Sequence, residues 1–338
     1  MTINIALIGA GRIGNVHASA IMQSIPDATI VSVADYYAES AKKLANTFGI
    51  GFYTDNHMDA INYDGVDAVV IASSTDTHAP FMMDTAKAGK HIFCEKPIAS
   101  DLSKIDEALQ VVSESGVKLQ IGFNRRFDPT FARIKQAIAE DAIGTPHLLH
   151  IISRDPSPPP IEYVKVSGGL FFDMMIHDFD MARFLFGDVV EVYAKGTVLV
   201  DDAIGEAGDI DTAVVTLQFA NGAIGTIDNS RQAVYGYDQR VEAFGSKGSA
   251  SNTNLYPDAV TISNGTRVER ASLPLNFFLE RYMDSYKIEL QAFVESIIND
   301  TPTPVSGDDG RVPVVMAMAA KKSLGENRPV RLEEVEHD

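Results

Sequence analysis

Short β-branched runs alternate with segments of helical period from Ile3 to about Gly122. Ile3–Ile8 is an apolar run ending at glycine, Asn15–Ile25 reads as a helix, and Thr29–Ala34 as a second strand. Ser40–Phe48 and Pro80–Ala88 have helical spacing, and Val66–Ala72 between them reads as a buried strand. His91–Cys94 is a short strand, Asp101–Ser115 a helix starting after the candidate cap Ser100, and Val117–Phe123 a last strand. Strands apolar on both faces with helices between them predict a parallel, doubly wound α/β sheet over residues 1–122.

The pattern changes after Phe123. Pro129–Ala139 looks helical, prolines crowd 156–160, and another helix is expected around Asp173–Phe186. From Val189 to about Leu273 the chain reads as strands, with hairpin turns at Asn221-Gly222 and Asn264-Gly265. Helices near Phe278–Ile298 and Pro313–Leu324 complete a second domain, 123–338. It is expected to be α+β, with a large open, mainly antiparallel sheet.

Composition narrows the function classes. A chain of 338 residues, 45% hydrophobic and 22% charged, has room for two globular domains. No apolar run approaches the roughly 20 residues of a membrane span. The one cysteine, Cys94, permits no internal disulfide, and the segment before the first strand has no basic leader; a cytoplasmic location is expected. The net charge of −18 repels nucleic acid and anionic membranes, so neither is expected as a partner.

Gly9-Ala10-Gly11-Arg12-Ile13-Gly14 matches G-x-G-x-x-G between a predicted strand and a predicted helix. An ordinary strand-to-helix turn is the alternative. In a Rossmann domain Gly9 makes the tight turn, Gly11 lets the backbone approach a pyrophosphate, and Gly14 lets helix and strand pack. Asp35 ends the second strand, where an acid hydrogen-bonds the adenosine ribose, although it can equally cap the next helix. Its charge would repel a 2′-phosphate, and Tyr36-Tyr37 follow it without a cation, so NAD is favoured over NADP; Arg12 is the one counter-signal. Ser73, Thr75, His78, Glu95 and Lys96 complete the expected cofactor residues.

Glu95-Lys96-Pro97 follows a strand at the carboxyl edge of the sheet, where ligands bind in open α/β folds, although such a tripeptide also suits a surface turn. Asp173 and His177 are four apart, hence neighbours on one face of a continuous helix. A carboxylate there can fix the imidazole tautomer and stabilise its charged form. A plain satisfied pair is one alternative. A metal held by Asp173, His177 and Asp180 is another, but no further ligand cluster is evident and no metal is expected.

Taken together, the chain resembles the Gfo/Idh/MocA family of NAD(P)-dependent oxidoreductases, and within it the inositol 2-dehydrogenases. The resemblance spans essentially the whole chain. It rests on the glycine motif, Glu95-Lys96-Pro97, Gly122-Phe123-Asn124-Arg125-Arg126-Phe127-Asp128, the Asp173/His177 segment, Tyr235-Gly236-Tyr237-Asp238-Gln239-Arg240 and Phe244-Gly245-Ser246-Lys247-Gly248. It implies that Lys96, Asp173 and His177 are catalytic and that the protein is a homotetramer assembled through the open sheet. The implied reaction is NAD-dependent oxidation of a ring alcohol of a cyclic polyol, myo-inositol to its 2-ketone first, with His177 as general base. Scyllo- or chiro-inositol or a pyranose sugar are the alternates. A glycoside-cleaving enzyme using NAD and a non-catalytic NAD sensor are the more distant readings. Arg126, Asp155, Tyr235 and Tyr282 are the candidate polyol contacts, though Arg126 can be an ion-pair member and each tyrosine a core residue. Where some inositol dehydrogenases carry His-x-Asn, this chain has Ser153-Arg154-Asp155, which bears on the choice of isomer.

Overall fold

The computed structural model describes residues 2–336 and divides the chain into two compact units. One runs to Phe127 and also takes in Met283–Val312; the other holds Asp128–Tyr282 and the chain from Pro313. The contiguous second domain expected over 123–338 is therefore interrupted by a segment that folds with the first.

The first unit contains β1 (Ile3–Ile8), α1 (Arg12–Ser24), β2 (Ala28–Ala34), α2 (Ala38–Phe48), β3 (Phe52–Thr54), α3 (His57–Ile61), β4 (Ala68–Ile71), α4 (Thr75–Lys87), β5 (His91–Glu95), α5 (Leu102–Ser115) and β6 (Leu119–Gly122). All sheet pairs are parallel and the order is β3-β2-β1-β4-β5-β6, the doubly wound arrangement of a Rossmann domain. Local chemistry sets the ends of the helices. The Asp101 carboxylate, rather than Ser100, caps α5 by accepting from the Ser103 N–H, and Gly116 ends it in the left-handed conformation. The β3 and α3 elements were not expected; at three and five residues they are too short to show a period. Helix Met283–Ile298 belongs here because Leu290, Phe293 and Val294 are at most 1% exposed in the core formed by Ile3, Ile5, Leu7, Ile21 and Phe93. Fully burying side chains of this size is worth about 1.5–3 kcal/mol each.

The second unit holds α6 (Pro129–Ala139), β7 (Pro146–Arg154), α7 (Ile161–Val164), α8 (Leu170–Asp173), α9 (Ile176–Phe186), β8 (Val189–Thr197), α10 (Asp202–Glu206), β9 (Thr212–Phe219), β10 (Ile224–Ser230), β11 (Asp238–Gly245), β12 (Gly248–Ser251), β13 (Thr261–Ser263), β14 (Val268–Arg270) and β15 (Val330–Arg331). Its main sheet runs β12-β11-β7-β10-β9-β8-β15; β7 and β10 are parallel and every other pair is antiparallel. The expected hairpin turns join β9 to β10 and β13 to β14, with Gly222 at φ +91°. One further expectation fails: Asp173–Phe186 is not one helix. Met175 N–H reaches back to Leu170 O while Asp178 N–H bonds Met175 O, a wide turn followed by a tight one. Phe171, Phe172, Met174, Met175 and Ile176 are all buried, so packing on several sides overrides the single apolar face a continuous helix would keep.

Candidate functional site

The glycine loop is built by steric necessity at two positions. Gly9 leaves β1 at φ +103°, and a Cβ there would lie 2.4 Å from the Ala72 carbonyl oxygen. A Cβ on Gly14 would lie 1.9 Å from the Gly9 oxygen. Gly11, the N-cap of α1, has nothing within 4 Å of that point, so its own fold leaves the loop open on that side. Arg12 and Ile13 are the first two helical residues, and the N-cap Gly11 has no side chain to cap this end of α1, the kind of helix start that suits an anion. Asp35, at the end of β2, accepts from the Ala10 N–H at 2.7 Å and the Tyr37 N–H at 2.8 Å through different oxygens. It thus ties down the glycine loop and, being half-buried, keeps lone pairs for a ribose hydroxyl. This is the donor and acceptor set a dinucleotide requires.

The other expected cofactor residues divide. Thr75 opens α4 at the surface, and the Ser73 hydroxyl is 2.6 Å from that of Thr77. His78 is 2% exposed, with ring nitrogens at 2.8 Å from Pro97 O and 3.1 Å from Ser73 O, and burial lowers its pKa. It lies between the turn after β5 and the loop after β4, both ring nitrogens facing backbone carbonyl oxygens, and its one N–H ties it to one of them. Glu95 is likewise turned inward, 9% exposed, with Oε1 at 2.8 Å from Nε2 of buried His17. Lys96 follows it, partly exposed and joined to Pro97 by a cis peptide bond.

In the second unit Asp173 is the last residue of α8 and His177 the second of α9. Both are partly exposed within an otherwise buried stretch. The Asp173 carboxylate accepts from the Tyr163 hydroxyl at 2.7 Å and from Nη1 of Arg231 at 3.2 Å. Arg231 is 1% exposed and also donates to Asp209 at 3.3 Å. Tyr163 and Arg231 escaped the sequence reading. They lie 10 and 58 positions from Asp173, beyond any local spacing rule. Asp173, His177 and Asp180 do not form the metal cluster held open above. Among the described residues, the histidine and carboxylate donors that gather are His17, Glu95 and Glu289.

The candidate polyol residues fare unevenly. Arg126 pairs with Asp309 at 3.0 Å. Burial alone would raise the Asp309 pKa, but the Arg126 charge and Ser306 hydrogen bonds outweigh it and leave it lowered. Tyr282 is 2% exposed, and its hydroxyl is 3.3 Å from Gln239 Oε1, which also accepts from buried Ser153. Arg126 is therefore an ion-pair member and Tyr282 a core residue, the alternatives noted for each. Tyr235 stays partly exposed, donating to Asp238 at 2.6 Å and accepting from Arg154 at 3.2 Å. Arg154 forks onto both oxygens of Asp228. Asp155 is partly exposed just past β7, its backbone anchored by Ser230 and Ala233.

A doubly wound sheet, a steric G-x-G-x-x-G turn and an acid at the end of β2 define an NAD-binding Rossmann oxidoreductase. The family model for an oxidoreductase NAD-binding Rossmann fold matches residues 3–123, and that for the GFO/IDH/MocA C-terminal domain matches 131–251. The chain belongs to the Gfo/Idh/MocA family. It is 48% identical to the myo-inositol 2-dehydrogenase of Thermotoga maritima, over 98% of this chain and 99% of that one. It is 45% identical to the inositol 2-dehydrogenase of Rhizobium meliloti, over 98% of this chain and all of that one. A scyllo-inositol dehydrogenase from Lactobacillus casei, solved with NAD(H) and scyllo-inositol, superposes with a TM-score of 0.92 at 29% identity, covering 98% of this chain and all of that one. Among the described residues no helix is long and apolar enough to cross a membrane.

Proposed function

We propose that this NAD-dependent dehydrogenase oxidises a ring secondary alcohol of a cyclic polyol, myo-inositol first, to the 2-ketone. The observation that carries the reading is near-full-length identity of 48% to a myo-inositol 2-dehydrogenase. The cation inventory supports a neutral substrate. Arg126 is taken by Asp309 and Arg154 by Asp228, so neither guanidinium fork is spare for a phosphate or carboxylate. Bound NAD supplies the hydride acceptor. Gly9, Gly11, Gly14 and the first N–H groups of α1 hold its pyrophosphate, and Asp35 its ribose. His177 takes the hydroxyl proton as general base. Asp173, held by Tyr163 and Arg231, orients the imidazole and stabilises it once charged. Lys96, which follows Glu95 at the end of β5, supplies the positive charge that stabilises alkoxide character as the alcohol is oxidised. Asp155 and Tyr235 contribute to isomer choice. Scyllo-inositol is the second candidate substrate, favoured by the likeness to the Lactobacillus casei enzyme.

The experiment is initial NADH formation across the inositol isomers, D-glucose, D-xylose and a simple 2-hydroxy acid. Activity on inositols supports the assignment, and exclusive activity on the hydroxy acid sinks it. Lys96→Met and His177→Ala should each lower turnover at least about 100-fold, the scale of losing a positioned proton-transfer group. Near-normal turnover in both removes these residues from the mechanism.

A further inference from the structure

Helical period puts Gly14, His17, Ala18 and Ile21 on the buried side of α1, an apolar stripe interrupted by one imidazole. His17 is 0% exposed, with its ring edge against Phe93 at 5.3 Å and Tyr286 at 5.8 Å between centroids. Its Nε2 meets the Glu95 carboxylate at 2.8 Å. From the other side comes Glu289, on helix Met283–Ile298, also 0% exposed, with no hydrogen-bond partner for either carboxyl oxygen. Donor atoms of His17, Glu95 and Glu289 lie within 4.8 Å of one another. Gly122, paired with Glu95 across β5 and β6, makes room: a Cβ there would press on the Glu95 carboxyl at 3.1 Å. Gln120 donates to the Glu289 backbone carbonyl at 2.7 Å and holds that turn of helix against β6.

The donors and acceptors do not balance if both carboxyls are ionised. A neutral His17 has one N–H, and Glu95 uses it. What remains is acceptors alone, namely Nδ1 of His17, spare lone pairs of Glu95 and both oxygens of Glu289. Two carboxylates this close, one fully buried and the other 9% exposed, would also repel each other. One proton on Glu289 removes the repulsion and supplies the missing donor. The 3-10 turn Asn124–Phe127, packed against the same helix, carries Arg125 and Arg126, and Arg126 is committed to Asp309. Tyr286, three residues before Glu289 on the same helix, packs its ring against His17. Burial, reinforced by the Glu95 charge, raises the Glu289 pKa well above the ordinary carboxyl value.

We propose that Glu289 is a positioning residue for Lys96: it holds a proton, and with His17 it clamps Glu95 so that the end of β5 delivers the next residue in one geometry. The inference rests on Lys96 acting in the reaction, as proposed above. The sign of the linked stability follows from the raised pKa. The contribution of Glu289 is fully present below about pH 4.3, its unfolded value, and is lost as pH rises through the folded pKa. Glu289→Gln copies the protonated form and cannot titrate. Its Tm relative to wild type should therefore climb as pH rises above about 4.3, the unfolded value. Glu289→Ala should lower kcat about tenfold with KM for NAD unchanged, and Glu289→Gln should restore it to within about threefold, less than the loss of a proton-transfer group. A Tm gap independent of pH overturns the proton on Glu289. An alanine variant with wild-type kcat, or a glutamine variant as slow as alanine, overturns the positioning role. One equivalent of a divalent metal in the purified wild-type protein, lost in Glu289→Gln, assigns the cluster to a cation instead. The Tm comparison involves no turnover, so it stands apart from failure of the polyol assay or of the Lys96→Met test.

Discussion

Removing the Arg231 guanidinium tests whether Asp173 is held from behind. Arg231→Met keeps the apolar stem and deletes the fork that bridges Asp173 and Asp209. The arginine side chain is 1% exposed and the two carboxylates 15% and 12%, so the variant leaves both acids without their cation and with little water. Breaking a buried pair costs about 3–5 kcal/mol, and the residual exposure of both acids places this case near 3. At about 2–4 °C per kcal/mol for a unit of roughly 150–250 residues, the range of the second unit, its Tm should fall by about 6–12 °C. Asp209→Asn in the same background removes one stranded charge and should return a few degrees, about 1 kcal/mol. Asp173 retains Tyr163 but loses its charged anchor. The kcat should fall at least about tenfold, short of the 10²–10⁴ for losing the base itself. Differential scanning fluorimetry and initial-rate assays on the three proteins read both effects. A Tm within about 1 °C of wild type, with unchanged kcat, would refute the argument that Arg231 supports Asp173.

Asp155→Asn should reorder the rates on inositol isomers and leave NAD affinity, measured by fluorescence titration, unchanged. Asp309 titrates below its ordinary value, so it contributes stability above about pH 3.9 that is lost as pH falls through its folded pKa. Arg126→Met should shrink that acid-side loss in a Tm-against-pH series. Leu148, Ile224 and Phe244 occupy facing register positions on β7, β10 and β11 and are 38%, 43% and 42% exposed. A tetramer closed through this sheet face is the proposed assembly, and Ile224→Lys with Phe244→Lys should shift the light-scattering mass from tetramer to smaller species.

What could be read from the sequence was what local rules encode. The period-2 and period-3.6 runs predicted the Rossmann strands and helices, and Gly9 and Gly14 are glycines for the steric reasons their motif assigns. Hairpin chemistry placed both turns of the second unit. Apart from β3 and α3, too short to show a period, and the α5 cap one residue off, the failures share a cause: contacts far apart in sequence. Helix Met283–Ile298 has ordinary amphipathic spacing, and nothing in that spacing says that Leu290 and Phe293 fill a core begun at Ile3. Asp173 and His177 have helical spacing, but buried residues on all sides break the helix between them. Tyr282 looked like a polar site residue because a hydroxyl shows no sign of its partner; Gln239, 43 positions away, receives it. His17 did leave a trace, as a histidine on the apolar stripe of α1.

The central claim is that the carbon-bound hydrogen of a polyol ring alcohol is transferred to NAD. Myo-inositol deuterated at C2, turned over by the purified enzyme with unlabelled NAD, tests it most directly by mass spectrometry of the reduced dinucleotide. The account predicts one deuterium in each NADH formed, together with the 2-ketone and a slower rate when hydride transfer limits turnover. Reduced dinucleotide free of deuterium, or none formed at all from any inositol, would contradict it.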